Sequence, residues 1–554
     1  MTSKQILGVL LGVVGALVLV IGGLSAVLLY SGGESETVAT DSQSETINTD
    51  TAAYGNSGAA SREIRLIGGE PVTMDPHLAT DATSGEYIVE IYSGLVTMNK
   101  NLEVIPDLAE SIQISPDGMI YTFVLRSNAK FHDGTSVTSE DVVWSLKRAA
   151  SPELRSTVAL EYLKDIVGMR EYYYGLKPNF SGVQAIDEKT IQITIDSPKP
   201  YFLAKLTYPS AFVVDREQIE SNRNWVRSPN ATGPYFLQEW KLGEYIVLEE
   251  NPHSYLGPRS VGRAVYNLAG GSALTRFENE ELDIAYISTN DIERARDPSS
   301  SLYEFYQASP GMSVSYIAFN VSQAPFDCEH VRRAMALSID RKTIAEVTLN
   351  GMAIAATGIL PPGVYGYTNE DKTYAYDPDA ARAELELSPY KNDMPPIIFT
   401  ETGGGAQAGL ITQAFIEQWR TILGLEIEVK QADWASFLDL VDSRSLQMWT
   451  LGWQMDYPDP ENILDIKLHG ESQENNTNFS SPAINELLEI ARTNPLIEER
   501  LNQYREAELA LIQAVPWIPT FFGSNHVVVG KRVKTWFEPP MTVPRLQYVV
   551  LNEE

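Results

Sequence analysis

Residues 447–460 read QMWTLGWQMDYPDP, and no other stretch of the chain indicates the fold and the function as strongly. The run from Gln447 to Leu451 predicts a β-strand, and Gly452 is expected to end it. Two prolines then stiffen a loop. This loop is predicted to present four residues together, namely Trp453, Asp456, Tyr457 and Asp459.

An aromatic side chain beside a carboxylate suits a zwitterionic or cationic ligand. The ring excludes water, and the carboxylate makes a charge-assisted hydrogen bond to an ammonium group. From composition alone a structural interpretation is equally good, in which the tryptophan belongs to the core and the aspartate caps a turn. The stretch therefore predicts either a binding loop or a stiff structural turn.

Strands and helices alternate along the rest of the chain, which predicts a mixed α/β architecture. Apolar and polar residues alternate at 190–196 and at 425–430, as they do in strands. Capping residues predict helix starts at Thr138, at Asp377-Pro378 and at Ser481-Pro482. A further amphipathic helix is predicted from about 409 to 423.

The chain has 554 residues, enough for two or three domains, with 73 acidic and 42 basic side chains and a net charge of −31. Nucleic acids and anionic lipids need basic surfaces, so this balance argues against both as partners. The acidity is interpreted as a solvated surface. The alternative is an electric field that attracts cationic solutes.

Enzyme and cofactor motifs are not found in the sequence. Cys328 is the single cysteine, which leaves no intrachain disulfide and no cysteine metal cluster. P-loop, G-x-S-x-G and H-E-x-x-H patterns are missing, and only six histidines are present. We therefore predict no cofactor, no metal and no enzymatic activity, although a hydrolase that uses two carboxylates stays open.

The N-terminal region predicts export. Residues 6–30 form an uncharged apolar stretch long enough to cross a bilayer, with Lys4 before it and acids after it. A cleaved signal peptide is the alternative, but the apolar core is longer than usual and ends without small-residue spacing. Residues 31–61 are rich in Ser, Thr and Gly and predict a flexible linker. We expect an extracytoplasmic protein that is anchored by segment 1–30.

A series of short motifs follows along residues 62–554. They are TMDP at 73–76, KFHDGT at 130–135, TSEDV at 138–142, TGPY at 232–235, AFN at 318–320, VRRA at 331–334, YDP at 376–378, GW at 452–453 and DYPDP at 456–460. Each motif is weak alone. Together and in this order, they resemble the family-5 extracellular solute-binding proteins of ABC importers, the group that contains oligopeptide- and dipeptide-binding proteins.

The resemblance implies a two-lobed α/β fold like that of periplasmic binding proteins, of type II, in the large cluster with an extra subdomain. Lobe one would comprise residues 62–319, with the subdomain at about 94–200, and residues 522–554 would return to it. Lobe two would comprise residues 320–521. Two chain crossovers, near 318–320 and 517–520, would form the hinge.

The resemblance also implies a set of binding residues. In peptide binders of this family, the aspartate of the G-W-x-x-D-Y stretch pairs with the α-amino group of the ligand, and Asp456 matches it. Trp453 and Trp434 match tryptophans of the site, the second of which lines side-chain pockets. Gly452 and Gln454 would bond the peptide backbone through main-chain groups.

The sequence departs from the family at the carboxylate end of the ligand. Oligopeptide binders tend to carry arginines where this chain has Thr450 and Val441, and Arg444 lies near the second position but is offset. The predicted function is therefore capture of peptides for an ABC permease and its ATPase, by a monomer. The alternatives are an oligosaccharide, an opine-like amine or a metal chelate as ligand, or an anchored ligand sensor.

Overall fold

The computed structural model describes residues 62–403 and 407–552. The predicted membrane segment and linker, at 1–30 and 31–61, lie outside the described residues. Within the two described ranges, no helix combines the length and the apolar character that a bilayer crossing requires.

The described residues form strands and helices that are interspersed along the chain. The strands are β1 (Glu63–Ile67), β2 (Val96–Met98), β3 (Val104–Pro106), β4 (Ala109–Ile114), β5 (Ile120–Leu125), β6 (Val183–Ala185), β7 (Thr190–Thr194), β8 (Tyr235–Lys241), β9 (Tyr245–Glu250), β10 (Arg263–Asn267), β11 (Ile284–Tyr286), β12 (Tyr306–Phe319), β13 (Ile354–Ala355), β14 (Ile397–Thr402), β15 (Ile427–Ala432), β16 (Met448–Gln454), β17 (Trp517–Val529), β18 (Val533–Thr535) and β19 (Val550–Leu551). The α-helices of eight or more residues are α1 (Ala82–Ile91), α2 (Ser139–Ala149), α3 (Glu329–Leu337), α4 (Pro378–Leu387), α5 (Leu410–Leu423), α6 (Trp434–Asp442), α7 (Glu461–Leu468), α8 (Pro482–Thr493) and α9 (Ile497–Ala514). The shorter α-helices are Thr157–Leu163, Met169–Tyr173, Phe202–Lys205, Arg216–Ser221, Ala273–Glu278, Ile292–Arg296 and Arg341–Thr343.

Three sheets organise the molecule. One has the strand order β1-β10-β9-β8, a second has the order β4-β5-β7-β6, and the seven-stranded sheet has the order β11-β17-β12-β16-β14-β15 with β13 on β17. The long strands β12 and β17 pair along most of their length, from Tyr306 opposite Val528 to Ala318 opposite Trp517. The two predicted crossovers therefore lie side by side in one sheet.

Three hydrophobic cores are each centred on a different sheet, and a fourth joins Tyr162 to Tyr316 of the seven-stranded sheet and to Ile463. The sheet that begins with β1 packs on α1, and its core includes Val527 and Leu546 from the end of the chain. A second core lies between residues 95 and 213 and is built on the β4-β5-β7-β6 sheet. A third lies between residues 317 and 521. Burial of alternate residues in β1 and β7 gives both strands one face toward a core.

Several local predictions are confirmed by the helix boundaries. Thr138 and Asp141 form a reciprocal capping box at the start of α2. Asp377 accepts hydrogen bonds from the first turn of α4, whose first residue is a proline. The helix predicted from about 409 to 423 is α5, and it ends at Gly424 with a φ of +68°.

The predicted end of the strand before Gly452 is wrong. Strand β16 continues to Gln454 because β12 pairs with it over this whole length, with Ser315 opposite Gly452 and Ser313 opposite Gln454. A partner strand that begins about 140 residues earlier in the chain supplies the ladder. A single glycine is tolerated in such a strand, so the loop starts only at Met455.

Candidate ligand-binding site

The five residues predicted to bind a ligand all line one cavity of about 520 Å³. Trp434 is the first residue of α6, Gly452, Trp453 and Gln454 end β16, and Asp456 follows in the loop. The opposite side of the cavity is formed by residues 79–85 at the start of α1 and by 207–209. The cavity therefore lies between the N-terminal sheet region and the seven-stranded sheet.

The edge of β16 beside the cavity is open. Strand β14 pairs with β16 only at Met448 and Trp449, whereas β12 covers the other edge as far as Gln454. Residues 450–454 thus have no second partner among the described strands. Such an edge offers main-chain N–H and C=O groups to an extended ligand.

Asp456 lies partly buried at the end of this open edge. Its Oδ2 accepts hydrogen bonds from the Tyr162 hydroxyl and from Asn462 Nδ2, the latter at 3.0 Å. Within the described ranges, Oδ1 receives no hydrogen bond and is available for a ligand. Burial raises the pKa of Asp456 to about 6, although the bonds from Tyr162 and Asn462 lower it.

Asn462 organises the loop around Asp456. Its Oδ1 accepts hydrogen bonds from the indole Nε1 of Trp453 at 3.1 Å and from the Asp456 main-chain N–H at 3.0 Å. Asn462 is fully buried in the first turn of α7. One amide side chain thus fixes both the ring and the carboxylate.

Lys467 lies over the ring of Trp453. Lys467 Nζ lies 4.8 Å from the ring centroid of Trp453, and it donates to Glu474 Oε2 at 3.2 Å and to Asn476 Oδ1 at 3.4 Å. Asn476 in turn donates to Asp442 Oδ1 at 3.5 Å. These four residues, Asp442, Lys467, Glu474 and Asn476, form a polar cluster on the cavity lining. Burial, together with the charge of Glu474, raises the pKa of Asp442 to about 6.

Trp434 reaches across the cavity. Its Nε1 donates a long hydrogen bond of 3.5 Å to Oδ1 of Asp81, which also caps α1 through the Ser84 N–H. Tyr208, on the same side as Asp81, stacks on Tyr162 with ring centroids 3.7 Å apart. Aromatic rings therefore enclose the cavity from both sides.

Two residues of the predicted binding loop are structural. Asp459 accepts two hydrogen bonds from Arg500, at 2.7 and 2.8 Å, and both residues are buried. Tyr457 is fully buried and donates to Glu461. The structural interpretation therefore holds for Tyr457 and Asp459, whereas binding by Trp453 and Asp456 stays a prediction.

The positions of the two missing arginines are also on the cavity lining. Thr450 and Val441 occupy them and offer a hydroxyl and an aliphatic group. Arg444 does not line this cavity, and its NH2 group lies 3.4–3.5 Å from the carbonyl oxygens of Ser472 and Gln473. The described lining contains one cationic side chain, Lys467.

Sequence reasoning missed the polar cluster and Tyr162. Lys467 and Glu474 carry no motif, and Tyr162 lies 294 residues before the aspartate that it bonds. The one available signal was Lys467 in the helical stretch 463–468, whose other residues are Asp465 and four aliphatic side chains. Within residues 62–403 and 407–552, no group of three or more His, Cys, Asp or Glu is arranged to hold a metal ion.

A buried ion-pair network outside the cavity lining connects residues 165 and 205 to α7. Lys205 Nζ lies 3.0 Å from Asp165 Oδ2 and 3.1 Å from Glu461 Oε1, and the three side chains are fully or almost fully buried. Burial alone would lower the pKa of Lys205, but the two carboxylates outweigh it and raise the pKa. The lysine thus stays charged and links Asp165 to Glu461.

Comparison with known proteins identifies the family. A family profile described as "Bacterial extracellular solute-binding proteins, family 5 Middle" matches residues 103–475. The oligopeptide-binding protein OppA of Bacillus subtilis is 26% identical over 484 residues, which cover 84% of this chain and 88% of OppA. Heme-binding protein A of Haemophilus influenzae is 28% identical over 502 residues, covering 85% and 88%.

A solved structure agrees with these matches. The murein tripeptide binding protein MppA of Escherichia coli superposes with a TM-score of 0.82 and 25% identity, over 89% of this chain and 99% of MppA. The predicted two-lobed α/β fold is confirmed by this similarity. Because the family consists of binding proteins, the prediction of a non-enzymatic protein is confirmed as well. The chain belongs to the bacterial extracellular solute-binding proteins of family 5.

Proposed function

We propose that this protein captures a peptide in the cavity and delivers it to the permease of an ABC importer. The observation that carries the proposal is the Asp456 carboxylate, whose Oδ1 is free at the end of an open strand edge. The α-amino group of a peptide would bond Asp456, and its backbone would add to residues 450–454 as an extended strand. Trp453 and Trp434 would contact its side chains.

The names of relatives support a peptide as the ligand. OppA is an oligopeptide-binding protein and MppA a murein tripeptide binding protein. The neutral Thr450 and Val441 would leave the carboxylate end of the peptide without a cationic partner at those two positions. A peptide held chiefly by its amino end fits this arrangement.

We assign the lobes as the sequence predicts them, to residues 62–319 with 522–554 and to residues 320–521, with an extra subdomain at about 94–200. Two hydrophobic cores fall within lobe one and one falls mainly within lobe two, which supports this division, and a fourth core joins the two lobes. The hinge would lie where β12 and β17 pair, at Ala318 and Trp517. Contacts of Lys205 with Glu461 and of Tyr162 with Asp456 would then hold the cleft closed.

We also propose that the protein is anchored on the extracytoplasmic face of the membrane by segment 1–30, with 31–61 as a tether. The uncharged run at 6–30 supports this proposal. Fractionation of cells that produce the full chain tests it. Recovery in the membrane pellet after a high-salt wash is expected, and recovery in the soluble fraction would contradict it.

Calorimetry with the full chain tests the peptide proposal. Trialanine should bind, and N-acetyl-trialanine should bind at least about tenfold more weakly because it lacks the ammonium group. Asp456→Asn should weaken trialanine binding by about 1.5–3 kcal/mol, while the exposed control Asp393→Asn should not change it. Equal affinity for the free and acetylated peptides would overturn the assignment of Asp456.

A non-peptide solute is the second candidate. Heme-binding protein A is a relative at 28% identity, and this chain lacks the two arginines expected of peptide binders. The carboxylates that line the cavity oppose an anionic ligand such as haem. Mass spectrometry of the small molecules that co-purify with the protein separates peptides from haem, sugars and chelates.

A further inference from the structure

The cavity lining carries more negative than positive side chains. Four carboxylates, those of Asp81, Asp442, Asp456 and Glu474, face one ammonium group, that of Lys467. Lys467 is already paired with Glu474 at 3.2 Å. The α-amino group of a peptide would neutralise Asp456 alone, so the polar cluster would keep a negative charge beside the bound ligand.

Glu474 has a free oxygen in this cluster. The residue is 7% exposed, and its Oε2 accepts the bond from Lys467. Its Oε1 receives no hydrogen bond from residues 62–403 or 407–552. Glu474 lines the cavity, so a donor supplied by a ligand could bond this oxygen.

Asp442 is placed where a negative charge destabilises its own helix. It is the last residue of α6, and a helix C-terminus carries partial negative charge that favours cations. Two negative groups are therefore held near one lysine: Glu474 accepts a hydrogen bond from Lys467 directly, and Asn476 bridges Lys467 to Asp442. The cluster thus carries two carboxylates and one ammonium group, so one further positive charge would neutralise it.

We infer that the ligand of this cavity carries a second cationic group, such as a lysine or arginine side chain, which binds between Asp442 and Glu474. The inference rests on the proposed function and specifies its substrate class: basic peptides, in preference to neutral or acidic ones. Charge-assisted hydrogen bonds to both carboxylates would provide the selectivity. Like charge would disfavour peptides with an acidic side chain at the same place.

Calorimetry near pH 8 with the full chain tests this inference. The probes are tripeptides of alanine in which lysine, or glutamate, replaces each position in turn, with trialanine as the reference. The best lysine peptide should bind at least about tenfold more tightly than trialanine, and the glutamate peptides more weakly. Equal affinities for lysine peptides and trialanine would overturn the inference but leave peptide capture intact. If no peptide binds, the proposed function fails and the inference fails with it.

Two variants test whether Asp442 and Glu474 produce the preference for lysine peptides. Asp442→Asn and Glu474→Gln should each reduce the preference for lysine peptides over trialanine to below about threefold. Asp393→Asn, an exposed aspartate off the cavity lining, should keep the full preference. If Glu474→Gln fails to fold because Lys467 loses its partner, the lysine preference of Asp442→Asn alone tests the inference. A lysine preference that survives Asp442→Asn undiminished would overturn the assignment.

Discussion

At the scale of a single side chain, the carboxylate of Asp456, which we propose binds the amino group of the ligand, opposes the stability of the fold. Burial raises the pKa of its carboxyl to about 6, above the value near 3.9 of an unfolded chain. Protonation of the Asp456 carboxyl therefore stabilises the folded state relative to the unfolded state. The stabilisation is present below about pH 4 and is lost as the pH rises through about 6.

Asp456→Asn should consequently stabilise the protein at neutral pH. The amide keeps an oxygen that accepts from Tyr162 and Asn462 but carries no charge. We expect the free energy of unfolding at pH 7.5 to rise by about 1–2 kcal/mol, a value reduced for partial solvent exposure. Urea denaturation at pH 7.5 and at pH 4 measures the effect, which should vanish at pH 4. A less stable variant at both pH values would show that the carboxylate has a structural role.

At the scale of elements, the loop after β16 depends on α7. Asn462, in the first turn of α7, bonds Trp453, the Asp456 N–H and the Asp456 carboxylate. Asn462→Ala should lower the free energy of unfolding by about 1–3 kcal/mol because the Asp456 N–H and the Trp453 indole lose their acceptor. It should also weaken binding of trialanine, because the ring and the carboxylate are no longer fixed.

Urea denaturation and calorimetry of the variant check both effects. Asn392→Ala, at an exposed position, is the matched control and should change neither quantity. Loss of stability without loss of affinity would mean that Asn462 supports the fold alone.

Elements with local signals could be predicted from the sequence. The capping box of α2 and the Gly424 end of α5 are fixed by residues within one turn of the boundary. The end of β16 could not be predicted, because its length is set by pairing with β12. The site was likewise predictable only in part. Trp453 and Asp456 belong to one sequence motif, whereas tertiary packing brings Tyr162 to Asp456 and Asp81 to Trp434.

At the scale of the whole molecule, we expect the ion pair of Lys205 and Glu461 to control how easily the proposed lobes separate. In the proposed division Lys205 belongs to lobe one and Glu461 to lobe two, and both side chains are fully buried. Because Asp165 remains 3.0 Å from Lys205, loss of the Glu461 charge leaves the lysine paired within its own lobe. The substitution should therefore shift the lobes toward opening without leaving Lys205 unpaired.

Glu461→Gln should accordingly enlarge the ligand-free protein and weaken ligand binding. Small-angle scattering is expected to give a larger radius of gyration than for the unchanged chain, and trialanine affinity should fall by about tenfold because the binding-competent state is less populated. Glu486→Gln, at an exposed position on α8, is the control and should alter neither. Saturating peptide should restore the compact scattering profile, because ligand contacts with both lobes favour closure. An expanded profile that persists with peptide bound would mean that the substitution disrupts packing, and an unchanged ligand-free profile would mean that this ion pair does not hold the lobes together.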